Sequence, residues 1–99
     1  MAYERCVGLQ VVDEALYGQY RQAMLPILTR FGGRFRYDFK IHETLKSETA
    51  APINRVFVIA FESKADNDAF FKDPDYLKVR ETFYKPSVAQ ATTLAAYER

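Results

Sequence analysis

Cysteine, histidine and tryptophan are scarce in this sequence, which has one cysteine, one histidine and no tryptophan among its 99 residues. A lone cysteine, Cys6, excludes a disulfide within the chain and is typical of proteins from a reducing compartment. No apolar run approaches the ~20 residues that a membrane-spanning helix requires. The first residues, MAYERCVGLQ, lack the apolar segment of a signal peptide. We therefore expect a soluble, cytoplasmic protein without a membrane partner.

A strong excess of either charge is also missing. The formal net charge is +1, so the electrostatic attraction that drives nucleic-acid binding is absent, and we expect no nucleic-acid partner. The only histidine, His42, has no second histidine or cysteine at a metal-binding spacing such as C-x-x-C. We expect no metal and no cofactor. Haem held by one axial histidine stays open as an alternative.

The sequence does contain an alternation of strand and helix patterns within one domain, residues 1–99. Runs of β-branched, aromatic or alternating residues predict four strands, at 5–12, 33–43, 54–62 and 87–98. Capping residues and apolar residues at helical spacing predict one helix between Asp13 and Gly32 and a second region between Ser63 and Pro86, interrupted at Asp73-Pro74. The order β-α-β-β-α-β predicts a ferredoxin-like α+β sandwich with a four-stranded antiparallel sheet.

The third predicted strand is apolar on both faces. Phe57 and Ile59 occupy one face, while Val56 and Val58 occupy the other. Right-handed β-α-β crossovers place both helices on the same side of the sheet, so the second apolar face needs other cover. We expect a second copy of the chain packed sheet to sheet, which makes a homodimer and a dimeric α+β barrel. The alternative left open is that long side chains of the edge strands shield this face.

The second predicted strand, GRFRYDFKIHE, alternates strictly between apolar and polar residues. With Phe35, Tyr37 and Phe39 toward the helices, the alternation places Arg36 and His42 on the open face of the sheet. A polar-rimmed cavity between two subunits is one interpretation of that face, and a solvated outer edge is the other.

Four residues are candidates for a functional site. Arg36 and Arg80 are candidate contacts for an anionic ligand group, because a partly buried arginine pairs with a carboxylate of the protein or of a ligand. For Arg80, a salt bridge within the protein stays open as the alternative. His42 is the candidate for proton transfer, since the ordinary pKa of histidine is about 6.5. Tyr84 is a candidate for lining the site.

Several short motifs resemble one known family. They are YGQY (17–20), ILTRFGGRF (27–35), RVFVIAFES (55–63) and FFKDPDYLKVRETF (70–83). The matching positions are Tyr20, Gly32-Gly33-Arg34, Phe61, Ser63, Pro74, Tyr76 and Arg80. Through these residues the chain resembles the DUF1330 family of the dimeric α+β barrel superfamily. It departs at Ala60, where the family commonly has a glutamate, and in a longer, more charged second strand.

The resemblance implies a ferredoxin-like subunit in a face-to-face dimer and no defined activity. The wider superfamily includes cofactor-free monooxygenases, muconolactone isomerases and haem-binding enzymes, a likeness of fold alone. The expected function is the binding of a small organic, anionic ligand. Whether the protein is a cofactor-independent enzyme or a non-catalytic effector-binding or dimerisation module stays open. RNA binding is disfavoured because Val56 and Val58 replace the glycines of RNA-recognition modules.

Overall fold

The computed structural model describes residues 2–99 and contains one antiparallel sheet of four strands with helices packed on one of its faces. The strands are β1 (Tyr3–Val11), β2 (Arg34–Lys40), β3 (Arg55–Phe61) and β4 (Val88–Glu98). The helices are α1 (Glu14–Arg30), α2 (Lys64–Lys72), α3 (Pro74–Val79) and the short α4 (Lys85–Ser87), with a π-helical turn, Arg80–Tyr84, between the last two. The strand order across the sheet is β2-β3-β1-β4. The predicted ferredoxin-like βαββαβ fold is confirmed.

The helices begin at the capping residues that the sequence predicted. Asp13 Oδ1 accepts a hydrogen bond from the backbone N–H of Leu16 at 3.0 Å at the start of α1. Ser63 caps α2, and Asp73 caps α3. Gly32 follows α1 with a φ of 72°, the left-handed conformation that glycine adopts without steric cost. None of the helices within residues 2–99 is both long and apolar enough to cross a membrane.

The core fills the space between the helices and one face of the sheet. Its buried members are Val7, Leu9, Val11, Tyr17, Tyr20, Met24, Leu28, Ile59, Phe61, Phe70 and Tyr76. Gly33 lies where α1 returns to the sheet, and a Cβ atom added there would be 2.7 Å from Phe61 and closer still to Leu28. The Gly-Gly pair therefore serves both the left-handed turn and this close approach of backbone to core.

A β-bulge in β2 changes which of its aromatic residues face the helices. Phe35 packs against the core as predicted. After it, Arg36 is the extra residue, and Tyr37 is the next to pair, opposite Val58. Such an insertion reverses the alternation of faces, so Tyr37 and Phe39 lie on the open face with 50% and 53% exposure. The prediction that these two rings pack under the helices is wrong.

The open face of the sheet is partly covered by the loop between β2 and β3. Ile53 of this loop lies so close to Gly8 that a Cβ atom on the glycine would be 2.9 Å from it. At this end of the sheet the chain's own loop therefore supplies cover that was expected only from a second copy of the chain or from long side chains of the edge strands. Around Val58, Tyr37 and Phe39 the face remains open, and the side chain of Val58 is only partly buried.

Candidate ligand-binding cavity

A cavity of about 310 Å³ lies between the helices and the sheet, at the lower end of the range for small-molecule sites. Its lining comes from all four strands, α1, α2, α3 and the π turn. The lining residues are Arg5, Val7, Tyr17, Tyr20, Met24, Phe35, Phe57, Ile59, Phe71, Tyr76, Arg80, Tyr84, Ala91 and Thr93. Tyr17, Tyr20 and Met24 are buried at its inner wall, while Ala91 and Thr93 are exposed. The cavity therefore opens along β4, an edge strand of the sheet.

Two arginines face this cavity without a carboxylate partner. Arg5 Nη2 donates a hydrogen bond to Thr93 Oγ1 at 3.2 Å, and its guanidinium lies 5.2 Å from the ring centre of Phe71. The Arg80 guanidinium lies 5.7 Å from the ring centre of Tyr84. Within residues 2–99, neither arginine forms an ion pair, and no acidic residue lines the cavity. The internal salt bridge considered for Arg80 is absent from this part of the chain.

Tyr20 of α1 and Tyr76 of α3 join these two helices at the cavity through their hydroxyl groups. The two oxygens are 2.9 Å apart, and both residues are buried. Burial, with the neighbouring hydroxyl of Tyr76, raises the pKa of Tyr20 well above its usual range. Burial likewise raises the pKa of Tyr84 to about 12. These hydroxyls stay protonated at neutral pH, so they can offer hydrogen bonds to a ligand but cannot act as bases there.

The π turn places Arg80 and Tyr84 together at the cavity. The backbone N–H of Lys85 donates to the carbonyl of Arg80, a hydrogen bond between residues five apart. One such turn within a helix is rare and occurs often at functional sites. Neither Pro86 nor any other residue in the sequence indicated a π turn here, since local periodicity does not distinguish it from an α-helix.

A third arginine, Arg21, lies beside the cavity but is neutralised. Its guanidinium stacks on Phe35 at 3.7 Å from the ring centre, its Nε donates to the Tyr17 hydroxyl at 3.1 Å, and its Nη2 lies 2.7 Å from Asp38 Oδ2. Arg55 also binds Asp38, at 2.8 and 2.9 Å. Burial opposes ionisation of Asp38, yet these two arginines hold its pKa below the ordinary value. The charge of Arg21 is thus already matched, in contrast to that of Arg5 and Arg80.

The sequence matches a protein-family model described as "Domain of unknown function (DUF1330)" over residues 6–97. The chain belongs to the DUF1330 family. The resemblance inferred from its motifs is therefore confirmed, and the family description assigns no activity. No curated protein sequence matches this DUF1330 chain.

Solved structures show the same fold at low sequence identity. A protein of unknown function from Rhodopseudomonas palustris is 14% identical, with a TM-score of 0.81 over 99% of this chain and 82% of that chain. A putative antibiotic biosynthesis monooxygenase from Nitrosomonas europaea is 17% identical, with a TM-score of 0.62 over 99% and 89%. A dimeric ferredoxin-like protein of unknown function from Thermobifida fusca is 12% identical, with a TM-score of 0.67 over 100% and 92%. At these identities the likeness shows the fold alone.

The four candidate site residues of this DUF1330 chain lie in three places. Arg80 and Tyr84 line the cavity together. His42 is exposed in the loop after β2 and is not among the lining residues. Arg36 points to the opposite face of the sheet, where it binds Glu4. The site roles of all four stay predictions, and the geometry groups only Arg80 with Tyr84.

Sequence reasoning did not single out Arg5, although the sequence carries a signal for it. Arg5 has the same strand parity as Val7, Leu9 and Val11, which form the core side of β1. An arginine on the core side of a strand is unusual and indicates a buried partner or a ligand. By contrast, the sequence carries no signal that pairs the Tyr20 hydroxyl with that of Tyr76, and only the three-dimensional structure shows this hydrogen bond.

Glu4 is the centre of a separate ion cluster on the open face. Its carboxylate is fully buried and accepts hydrogen bonds from Arg36 Nη1 at 2.9 and 3.2 Å and from the Tyr97 hydroxyl at 2.9 Å, while Arg99 Nε lies 2.8 Å away. Burial alone would raise its pKa, but Tyr97 and the two arginines lower it below the ordinary value. Glu4 pairs with Ala60 in the sheet register, so a carboxylate stands beside the position where the family commonly has its glutamate.

Within residues 2–99, no group of three or more histidine, cysteine, aspartate or glutamate side chains is arranged to hold a metal ion.

Proposed function

We propose that this DUF1330 protein binds a small organic anion in the cavity between its helices and its sheet. The observation that supports the proposal is the pair Arg5 and Arg80, which face the cavity without a carboxylate partner in the described part of the chain. A guanidinium presents several donors in a fixed plane that matches a carboxylate. A ligand carboxylate would complete the pairing that the protein itself leaves unmade.

The surrounding residues favour an organic ligand over a bare inorganic ion. Aromatic and aliphatic side chains make up most of the cavity wall, including Met24, Phe35, Phe57 and Ile59. Apolar side chains combined with a small number of polar groups are typical of sites that hold organic molecules. The anion would therefore carry an apolar body that fits against this wall.

The lining residues support binding more directly than catalysis. Among residues 2–99, the lining includes no histidine, lysine, cysteine or carboxylate, the groups that most often serve as general bases. The tyrosines hold their protons because burial raises their pKa values. We propose a binding protein, and its hydroxyl donors could stabilise negative charge on a bound ligand. A proton-transfer role for His42 would show as lost turnover in His42→Ala with an unchanged melting temperature.

A binding experiment with matched variants tests the proposed function. Wild type, Arg80→Met and Arg5→Met are titrated with benzoate, cyclohexanecarboxylate and succinate at pH 7 by calorimetry. Because a charge-assisted hydrogen bond contributes about 1.5–3 kcal/mol, each variant should weaken binding about 10- to 150-fold. Lys78→Met is the control, since Lys78 is an exposed cation on α3, two residues before Arg80. Equal affinities in Arg80→Met and wild type, or no binding of any acid, would contradict the proposal.

We also propose that a second copy of the chain covers the open face and makes a homodimer. Tyr37 and Phe39 lie side by side there, with ring centres 6.0 Å apart, and each is about half exposed. Val56 and Val58 adjoin them on β3. An aromatic and β-branched surface of this kind is typical of an interface. The Thermobifida fusca protein of the same fold is described as dimeric, and this supports the proposal by analogy of fold.

A cytoplasmic location stays a prediction from the single cysteine.

A further inference from the structure

The cavity has a cationic side, where Arg5 and Arg80 lie against the rings of Phe71 and Tyr84, and an aromatic side, which Phe35 and Phe57 form without an unmatched charge. The sheet register sets this division, because Arg5, Ile59 and Phe35 occupy one row across β1, β3 and β2. Arg5 is therefore two strands away from Phe35, or roughly 10 Å at the ordinary strand spacing. Arg80 approaches from the π turn that follows α3, while α1 covers Phe35 through Arg21.

The cationic side concentrates unmatched positive charge. Arg5 and Arg80 both line the cavity, and the positive charge of each opposes the rise that burial causes in the pKa values of Tyr76 and Tyr84. Thr93 adds a hydroxyl on the exposed edge. One carboxylate between the two arginines would receive charge-assisted hydrogen bonds from both.

The aromatic side presents two rings in an edge-to-face arrangement. Phe35 and Phe57 have ring centres 5.4 Å apart and planes at 83°. The Arg21 guanidinium already stacks on one face of the Phe35 ring, so a ligand cannot use that face. Phe57 and Met24 both line the cavity, and both suit a flat ring, since aromatic rings prefer edge-to-face and offset contacts and thioethers pack well on ring edges.

From this division we infer that the ligand class is an aromatic carboxylate. Its carboxylate lies between Arg5 and Arg80, and its ring lies toward Phe57 and Met24. This inference rests on the proposed function, because it requires that the cavity binds an organic anion at all. It goes beyond that proposal by naming the chemical class of the ligand and its orientation.

The experiment compares probes that separate the ring from the charge. Benzoate, cyclohexanecarboxylate, acetate, benzyl alcohol and inorganic phosphate are titrated into the wild-type protein at pH 7. Benzoate should bind about five-fold more tightly than cyclohexanecarboxylate, because an aromatic contact adds to the burial of apolar area. Acetate, benzyl alcohol and phosphate should each bind at least about ten-fold more weakly than benzoate, because acetate lacks the ring, benzyl alcohol lacks the carboxylate and phosphate lacks both.

Phe57→Leu tests the orientation, because it removes the ring and keeps an apolar side chain. The variant should bind benzoate about five-fold more weakly than wild type does, and its affinity for cyclohexanecarboxylate should change less than about two-fold. Its melting temperature reports whether the variant folds. Because the five probes compare ligands on the unmodified protein, the ligand class is tested even if this variant unfolds.

The outcomes separate the two proposals. Equal affinity for benzoate and cyclohexanecarboxylate, or phosphate as tight as benzoate, would overturn the aromatic class and leave anion binding in place. A folded Phe57→Leu variant that binds benzoate as tightly as wild type would overturn the orientation of the ring. If benzoate, cyclohexanecarboxylate and acetate all fail to bind, the proposed function itself is refuted, and the aromatic class with it.

Discussion

Replacing Glu4 with glutamine should destabilise the protein strongly, although Glu4 lies on the face of the sheet opposite the cavity. The substitution keeps the size of the side chain and removes its charge. In the folded protein the Glu4 carboxylate has no exposed surface and is contacted by Arg36, Tyr97 and Arg99, all within 3.2 Å. Glutamine retains one acceptor oxygen, but its amide nitrogen would place two N–H donors against the donor groups of the arginines and Tyr97.

The size of the effect follows from what covers the cluster. Hydrogen bonds to a charged group contribute about 1.5–3 kcal/mol each before partners readjust. The Arg36 and Arg99 side chains keep 27% and 48% of their surface exposed, so both regain water when the carboxylate charge is lost. Because Glu4 is covered by only one layer of long side chains, the larger free-energy costs of breaking an ion pair deep in a protein interior do not apply. We therefore expect Glu4→Gln to lower the free energy of unfolding by about 2–3 kcal/mol, or about 10–20 °C in melting temperature for a chain of this length.

The pH dependence gives the sharper assay. The folded-state pKa of Glu4 is below its ordinary value of 4.5. Its charge therefore stabilises the protein above about pH 4.5, and this contribution is lost as the pH falls through the folded-state pKa. Urea unfolding at one fixed protein concentration, from pH 7 to pH 3, should show a gap between wild type and Glu4→Gln that narrows on acidification.

A matched control separates the cluster from general charge effects. Glu98→Gln removes a carboxylate from an exposed position on the neighbouring strand β4, and it should change the free energy of unfolding by less than about 0.5 kcal/mol. If Glu4→Gln unfolds with the wild-type midpoint at pH 7, or if its deficit persists undiminished at pH 3, the charge of Glu4 is not what holds this cluster together.

The fold could be predicted because its signals are local. Strand alternation, the caps Asp13, Ser63 and Asp73, and the glycine turn after α1 each depend on a few neighbouring residues. The caps and the glycine turn satisfy backbone N–H and C=O groups that have no partner within the helix itself. The element order then leaves few topologies, and the ferredoxin-like arrangement is one of them.

The face of the sheet on which each β2 side chain lies could not be predicted, because it depends on residues distant in the sequence. The alternation from Phe35 to Phe39 has no local interruption, yet a bulge at Arg36 reverses it. Arg36, the bulged residue, binds Glu4, 32 residues earlier. The reversal after it turns Asp38 toward Arg21 and Arg55. A pattern within one strand carries no information on such partners, because the cost of a bulge is set by the sheet and the contacts it gains.

Only part of the cavity lining could be expected from the sequence, because its residues come from distant segments of the chain. Arg80 and Tyr84 share one side of a helix, a relation that helical spacing reveals, and both line the cavity. Their companion Arg5 comes from a strand 75 positions earlier, so only the assembled sheet brings them together. His42 was placed on β2, but β2 ends at Lys40, and the residue falls in an exposed loop instead.

Two further substitutions test the packing on either face of the sheet. Gly33→Ala should lower the free energy of unfolding by at least about 2 kcal/mol, because its Cβ atom would overlap Leu28 and Phe61; a wild-type midpoint in urea would show that the turn relaxes freely. On the open face, light scattering at micromolar concentration should give wild type twice the chain mass of 11.5 kDa. Val58→Glu should give a single chain mass, since a carboxylate would lose its water in the proposed interface without gaining a partner. Leu77→Glu, on the exposed side of α3, should leave the dimer intact. A wild-type particle of 11.5 kDa would contradict the homodimer.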